Sequence, residues 1–197
     1  MTELRWYQDE AITALFDYFG RETGNPVVAH PTGTGKSVVI GGFVARALRY
    51  WPNQRFICLT HVMELVAQNA AELEVMWPGL PIGIHSAGLG RRDTVHPIIF
   101  GGIASAIQAP GAFGHRDIMF IDECHLLSND DNSMYRKFIA AMKGINPHIK
   151  VIGLSATPFR VGQGLVTDEG GLFTDIVHDM TTLDNFDRLI AEGYLSP

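Results

Sequence analysis

The stretch HPTGTGKS, residues 30–37, decides how the rest of the chain is read. Gly33 and Gly35 stand two apart and are followed directly by Lys36 and Ser37. Glycines let successive backbone N–H groups turn inward, so such a loop can cradle a chain of phosphates. In that arrangement a lysine reaches the outer phosphates and a serine hydroxyl ligates Mg²⁺. The apolar run just before, residues 26–30 (PVVAH), reads as a short buried strand. Residues 37–50 read as a helix with Val39, Phe43, Ala47 and Leu48 near one face. The loop therefore lies between a strand and a helix, where the helix N-terminus adds its positive dipole end. The eight-residue phosphate-loop pattern has Gly at its first position, and His30 stands there instead. A tight strand-to-helix turn is the alternative for the motif in isolation.

Outward from the loop, apolar runs alternate with longer helical segments. Residues 55–60 (RFICLT), 82–85, 97–100, 117–121 (DIMFI) and 150–154 (KVIGL) read as strands. Helices are expected over 63–76, 135–142 and 183–192, the last stopped by Gly193. Uninterrupted apolar strands separated by helices imply an α/β fold with a mostly parallel sheet covered on both faces. The glycine-biased segment 161–171 (VGQGLVTDEGG) reads as a mobile loop.

At the tip of the DIMFI strand comes DECH, Asp122 to His125. A carboxylate just beyond a buried strand is where a phosphate-loop enzyme holds its metal ion, which gives that role to Asp122. Glu123 is placed to orient or deprotonate an attacking water. Taken alone, the pair also suits a helix cap or a solvated turn. Cys124 and Cys58 lie far apart without metal-ligand spacing and read as reduced, buried thiols. His85, His96, His115, His148 and His178 form no zinc-binding pattern.

Composition narrows the class. With 46% hydrophobic and 18% charged residues, the 197-residue chain has the profile of a globular domain. No stretch approaches the roughly 20 apolar residues of a membrane span. The N-terminus, MTELRWYQDE, lacks the order of a signal peptide, so a cytoplasmic setting is expected and Met1 reads as the natural start. A net charge of −6 means that any grip on nucleic acid is local rather than a broad basic face.

In this order the motifs resemble the first RecA-like motor domain of a superfamily-two helicase. LRWYQDEAI, residues 4–12, resembles the adenine-reading Q motif, and HPTGTGKS resembles motif I, whose first position varies in that superfamily. LTHVMELVAQNA (59–70) is similar to motif Ia, FGGIASAIQ (100–108) to the segment with motif Ib, IDECHLL to a DExH-type motif II, and LSATPFR (154–160) to motif III. The combination of LRxYQ, DECH, NPH, SATPFR and a terminal GYLSP is most similar to RadD-like DNA repair helicases, with restriction-system translocases as the next relatives.

The resemblance implies ATP with Mg²⁺ as the bound group and assigns residues to it. Gln8 would read the adenine, while Arg5 either lies beside the base or is a surface cation. Thr32, Gly33, Thr34, Gly35, Lys36 and Ser37 would hold the phosphates; Ser37 and Asp122 would hold Mg²⁺; Glu123, Asp122 and Lys36 would carry catalysis. His125, Ser155 and Thr157 would couple the phosphate state to domain movement, with Thr157 near His125 or Asp122. Thr60, His61, Gly101 and Gly102 would touch the tracked nucleic-acid strand, DNA before RNA; Thr60 and His61 could equally cap the next helix. Residues 1–180 are expected to form the ATP-binding domain and 181–197 a helix and the start of a linker. A second RecA-like lobe would supply the arginine finger, so these 197 residues alone would be a nearly inactive monomer. A nucleotide-gated binding module without motor activity is the rival from another class.

Overall fold

A computed structural model describes residues 3–127, 133–160 and 164–196 of the chain. It opens with helix α1 (Trp6–Arg21), followed by β1 (Pro26–Ala29), α2 (Lys36–Tyr50), β2 (Phe56–Thr60) and α3 (Met63–Met76). Strands β3 (Ile82–Ser86), β4 (Arg91–Arg92) and β5 (Ile98–Gly102) come next, then the single turn α4 (Ile103–Ala106) and β6 (Ile118–Ile121). Helix α5 (Met134–Ile145) leads to β7 (Lys150–Ser155), the short ladder of β8 (Phe159–Arg160) with β9 (Gly164–Leu165), β10 (Asp175–Asp179) and α6 (Leu183–Ala191).

The eight-stranded sheet has the order β10-β1-β7-β6-β2-β5-β3-β4. Every neighbouring pair is parallel except β3 with β4. Side chains alternate across a strand, so one apolar run feeds two cores. Val28, Phe56, Cys58, Ile98, Phe100, Ile118, Phe120, Ile152 and Leu154 face one side, beneath α1, α2 and α3. Val27, Ile57, Leu59, Ile99, Met119, Ile121 and Val151 face the other, against α4 and α5. Burial on both faces is why these strands read as continuous apolar runs rather than as alternating ones. The expected α/β architecture with a mostly parallel, doubly covered sheet is what forms.

Three differences from the sequence reading stand out. Helix α1 covers the stretch assigned to base reading. It is tied by a reciprocal cap in which the backbone N–H of Arg5 donates to Oε1 of Gln8 at 3.0 Å. Strand β10, with the sequence DIVHD, was not anticipated, yet it pairs in parallel with β1. Two apolar residues between acids give too weak a pattern; the pairing comes from the open edge of β1. In the segment expected to be a loop, Gly164–Leu165 pairs with Phe159–Arg160 and Val166 is fully buried. Residues 161–163 of that segment lie outside the described residues.

The lower rim of the sheet is gathered by one cation. Arg116, fully buried, donates to the carbonyls of Phe113, Phe56, His96, Pro97 and Thr94 at 2.6 to 3.2 Å. Four of these carbonyls lie at or just before the starts of β2 and β5 and the fifth, that of Phe113, lies in the turn before β6, so one guanidinium ties together the segments that enter three strands. Burial draws its pKa down to about 10, which leaves it charged at neutral pH. At the far edge of the sheet, β4 is two exposed arginines, of which Arg91 pairs with Asp93. Arg116→Met keeps the bulk but strands several buried carbonyls. It is expected to cost about 3–5 kcal/mol in urea unfolding, whereas Arg92→Met should cost under about 0.5 kcal/mol.

Candidate functional site

The carboxyl ends of β1, β7 and β6 are adjacent in the sheet, so the loops that leave them meet. This is the rim where open α/β sheets place their ligands. The phosphate loop follows β1, and its glycines are required on steric grounds. Gly33 and Gly35 have φ of 85° and 83°, and a Cβ on Gly35 would lie 2.8 Å from Nε2 of Gln8. Gly35 is the cap of α2, so the dipole end of a 15-residue helix points into the loop. Thr34 is fully buried, and its hydroxyl donates to the carbonyl of Pro31 at 2.7 Å.

Lys36, the first residue of α2, points at the acidic strand end. Its Nζ lies 3.3 Å from Oε1 of Glu123 and 3.5 Å from the carbonyl of His30. Glu123 has φ of 51°, the one non-glycine residue with positive φ among the described residues. A bulky side chain in that region is costly unless the surroundings impose it, and such outliers cluster at functional sites. Here the turn lets Oδ1 of Asp122 accept the backbone N–H of Glu123 at 3.0 Å, which orients the Asp122 carboxylate. Oδ2 of Asp122 accepts from Nδ2 of Asn69 on α3 at 3.2 Å. Burial, then the charge of Glu123, raises the pKa of Asp122.

The third strand tip closes the network. Nδ1 of His125 lies 2.8 Å from Oγ of Ser155 and 3.4 Å from Oε2 of Glu123. Oγ of Ser155 in turn donates to the carbonyl of Thr157 at 2.8 Å and accepts its N–H at 3.0 Å. The sequence places Thr157 near His125 or Asp122; the hydroxyl that His125 meets is that of Ser155, and the Thr157 side chain is exposed. A two-residue turn after β7 folds the Ser155 hydroxyl back toward β6 and sends the Thr157 side chain outward. The backbone N–H of His30 donates to the carbonyl of Ser155 at 2.9 Å, which joins the phosphate loop to the same turn.

Other expected residues fall into place less directly. The Gln8 amide is buried and spent on protein, since Nε2 donates to the carbonyl of Thr34 at 2.8 Å while Oε1 receives Arg5. Gln8 thus holds the phosphate loop itself. Arg5 donates to the hydroxyl of Tyr7 at 2.9 Å and lies 4.8 Å over the ring of Tyr194. Thr32 is exposed on the loop. Thr60 and Gly102 are register partners at the ends of β2 and β5, next to Gly101 and the exposed His61. Oγ1 of Thr60 accepts the N–H of Val62 at 3.3 Å in a local turn; Val62 is itself the N-cap of α3, so neither Thr60 nor His61 fills the capping role given as their alternative.

Sequence reasoning missed two polar residues of α3. Besides Asn69, Glu72 accepts the hydroxyl proton of Ser37 and is steadied by Nε2 of Gln68 at 2.9 Å. Residues 69 and 72 are three apart on one helix, hence on one face, and that spacing was the available signal. The residues fit a magnesium ion. Ser37 donates its proton to Glu72 and keeps its lone pairs for a cation. Asp122 is a buried carboxylate short of positive charge, and Oε2 of Glu123 is a buried oxygen with no hydrogen-bond partner.

Because the folded-state pKa of Asp122 is raised, its ionisation works against folding, increasingly so as pH rises through that value. Asp122→Asn is therefore expected to unfold at a higher urea concentration than the parent at pH 8. The gain should shrink as the pH is lowered, read by urea titration at several pH values in the absence of divalent metal.

Residues 1–160 match the family described as Type III restriction enzyme, res subunit. Comparison with curated proteins yields no match. Among solved structures, a nuclease-deletion mutant of the Type ISP restriction-modification enzyme LlaGI, in complex with a DNA substrate mimic, superposes with a TM-score of 0.69 at 14% identity; the match covers 96% of this chain and 21% of that one. The UvsW helicase from bacteriophage T4 gives 0.63 at 20% identity, covering 89% of this chain and 60% of that one. The ATP-dependent Type ISP enzyme LlaBIII bound to DNA gives 0.64 at 13%, covering 91% and 15%. The chain thus spans less than two thirds of each of these proteins, and the likeness to them is one of fold. On the match across most of its length, the chain belongs to the Type III restriction enzyme res-subunit family, as a first RecA-like domain of the superfamily-two helicase type.

Proposed function

We propose that this domain binds ATP with Mg²⁺ and, together with a second RecA-like lobe, converts hydrolysis into movement on DNA. The observation that carries the reading is the convergence of Lys36, Glu123 and Asp122 from separate elements onto the mouth of one phosphate loop. Ser37 and Asp122 would hold the magnesium ion, which would draw charge from the phosphate oxygens. The amides of residues 33–37 and the α2 terminus would orient the triphosphate.

The ion pair between Lys36 and Glu123 gives the site a resting state. An entering phosphate competes for the ammonium, and Glu123 loses its partner. Its Oε2, buried and without a hydrogen bond, is then the acceptor for a proton from water. His125 lies between that carboxylate and Ser155, so a change at Glu123 reaches the turn after β7. Phosphate chemistry of this type is mostly positioning and charge stabilisation, and an arginine finger typically contributes about 10³–10⁵ in rate. That residue would come from the second lobe, so the domain alone should turn over slowly. Thr60, His61, Gly101 and Gly102, on neighbouring strand ends, suit contacts to the phosphates of one DNA strand.

The RadD-like motif combination supports a repair helicase. The family match and the two Type ISP restriction-modification structures support a restriction-type translocase instead. No helix among the described residues is long and apolar enough to cross a membrane. A monomeric, cytoplasmic domain is the setting we propose.

Lys36→Ala and Glu123→Gln test the motor reading. In the full-length protein, Lys36→Ala should weaken ATP binding by about 100-fold or more, consistent with loss of a charge-assisted contact. Glu123→Gln should bind ATP within a few-fold of the parent and lose DNA-stimulated turnover. Retained turnover in Glu123→Gln would favour a nucleotide-gated switch over a motor.

A further inference from the structure

The first residue of the phosphate loop is not a glycine, and its side chain is not idle. The ring of His30 is fully buried, and its Nε2 lies 2.9 Å from Nδ1 of His178 on β10. Nε2 of His178 lies 3.7 Å from the carboxylate of Glu10 on α1. Tyr7 of α1 packs edge-on against His30, at 5.6 Å between ring centres. Nδ1 of His30 is buried with no hydrogen-bond partner.

We infer that His30 and His178 are positioning residues of the nucleotide site, whose single shared proton locks the phosphate loop to edge strand β10 and makes nucleotide affinity depend on both rings being neutral. This rests on the nucleotide-binding reading above. The tautomers follow from the partners. An ionised carboxylate only accepts, so Nε2 of His178 carries its proton toward Glu10 and its Nδ1 is bare. His30 must then donate through Nε2, which leaves a lone pair, and no N–H, at its unpartnered Nδ1. Adding a proton to His178 places an N–H against the N–H of His30. The clash is relieved only by moving the His30 proton to Nδ1, where no acceptor waits, or by parting the strands.

The charged groups around the pair set the sense of the dependence. Burial first, then His178 and Lys36 of α2, pull the pKa of His30 down to about 3. Burial also lowers that of His178, against the opposing pull of Glu10 and of Asp179 on β10. Both rings are neutral at pH 7, and the lock is lost as pH falls. The lock has a second anchor further along. Strand β10 leads to α6, and the turn that follows this helix packs Tyr194 on Tyr7 at 5.5 Å between ring centres. Leu195 in that turn lies 3.7 Å from where a Cβ on Gly33 would be. The segment from β10 onward therefore reaches the phosphate loop at its first residue through His178 and comes close to its fourth through Leu195.

Asparagine can accept where Nδ1 of a histidine does, but does not titrate, so His178→Asn separates the lock from its proton. Binding of a fluorescent ADP analogue with Mg²⁺ is measured at pH 7.5 and 5.5 for the parent, His178→Asn and His178→Leu, with Lys36→Ala as the control for specific binding. The parent should weaken by about tenfold more than His178→Asn on acidification, the equivalent of one hydrogen bond. His178→Leu should already be weak at pH 7.5. Equal acid weakening in parent and His178→Asn, or full affinity in His178→Leu, overturns the proposal. Imidazole ¹⁵N spectra of the parent give an answer that needs no nucleotide: at pH 7.5 His30 should show the Nε2–H tautomer and His178 a bare Nδ1, and His30 should stay neutral down to pH 5. An Nδ1–H tautomer of His30 at pH 7.5, or protonation of His30 itself above pH 5, overturns the lock. An absence of nucleotide binding in the parent, with the expected spectra, overturns the nucleotide reading alone.

Discussion

The site depends on charge balance at the mouth of the phosphate loop. One ammonium, that of Lys36, stands 3.3 Å from Glu123 and close enough to Asp122 to lower its pKa against the stronger effect of burial. Two carboxylates in a half-buried rim with, among the described residues, a single facing ammonium are short of positive charge. Under the proposed function, that deficit is what a metal ion bound with the phosphates would make good. The sheet order sets up this deficit, because β1, β7 and β6 are neighbours and their loops have nowhere else to go.

The same rim holds several local departures from low-energy structure. Glu123 sits in the left-handed region, Asp122 is buried with its carboxyl displaced toward the protonated form, and Oε2 of Glu123 lacks a hydrogen-bond partner. The opposite rim is the reverse case, with Arg116 satisfying five carbonyls at once. Stability is gathered at one end of the strands and spent at the other, the usual division of labour in open α/β sheets.

Much of this was legible in residues alone. The runs PVVA, FICLT and IMFI announce strands covered on both faces, and GTGKS and DECH name residues that the fold brings together at one rim. What escaped was whatever depends on a partner distant in sequence. Strand β10 has little pattern of its own and exists because β1 offers an unpaired edge. Gln8 reads as a ligand contact until the carbonyl of Thr34 is seen to take its amide. Asn69 and Glu72 look like ordinary helix-surface polar residues until α3 is laid beside the loop. His178, read as one scattered histidine among several, gains meaning only from lying 2.9 Å from His30.

The sheet's far border has a consequence for how this domain lives among its copies. A flat strand left open at a border invites another polypeptide to add itself, the first step toward fibrous aggregates. Here the border strand is two residues long, antiparallel to its neighbour, and made of two exposed arginines. A second molecule docking there would have to bring arginine against arginine over too few backbone groups to repay the repulsion. The fold thus carries its own guard against polymerisation at the end where the parallel ladder would otherwise stay open.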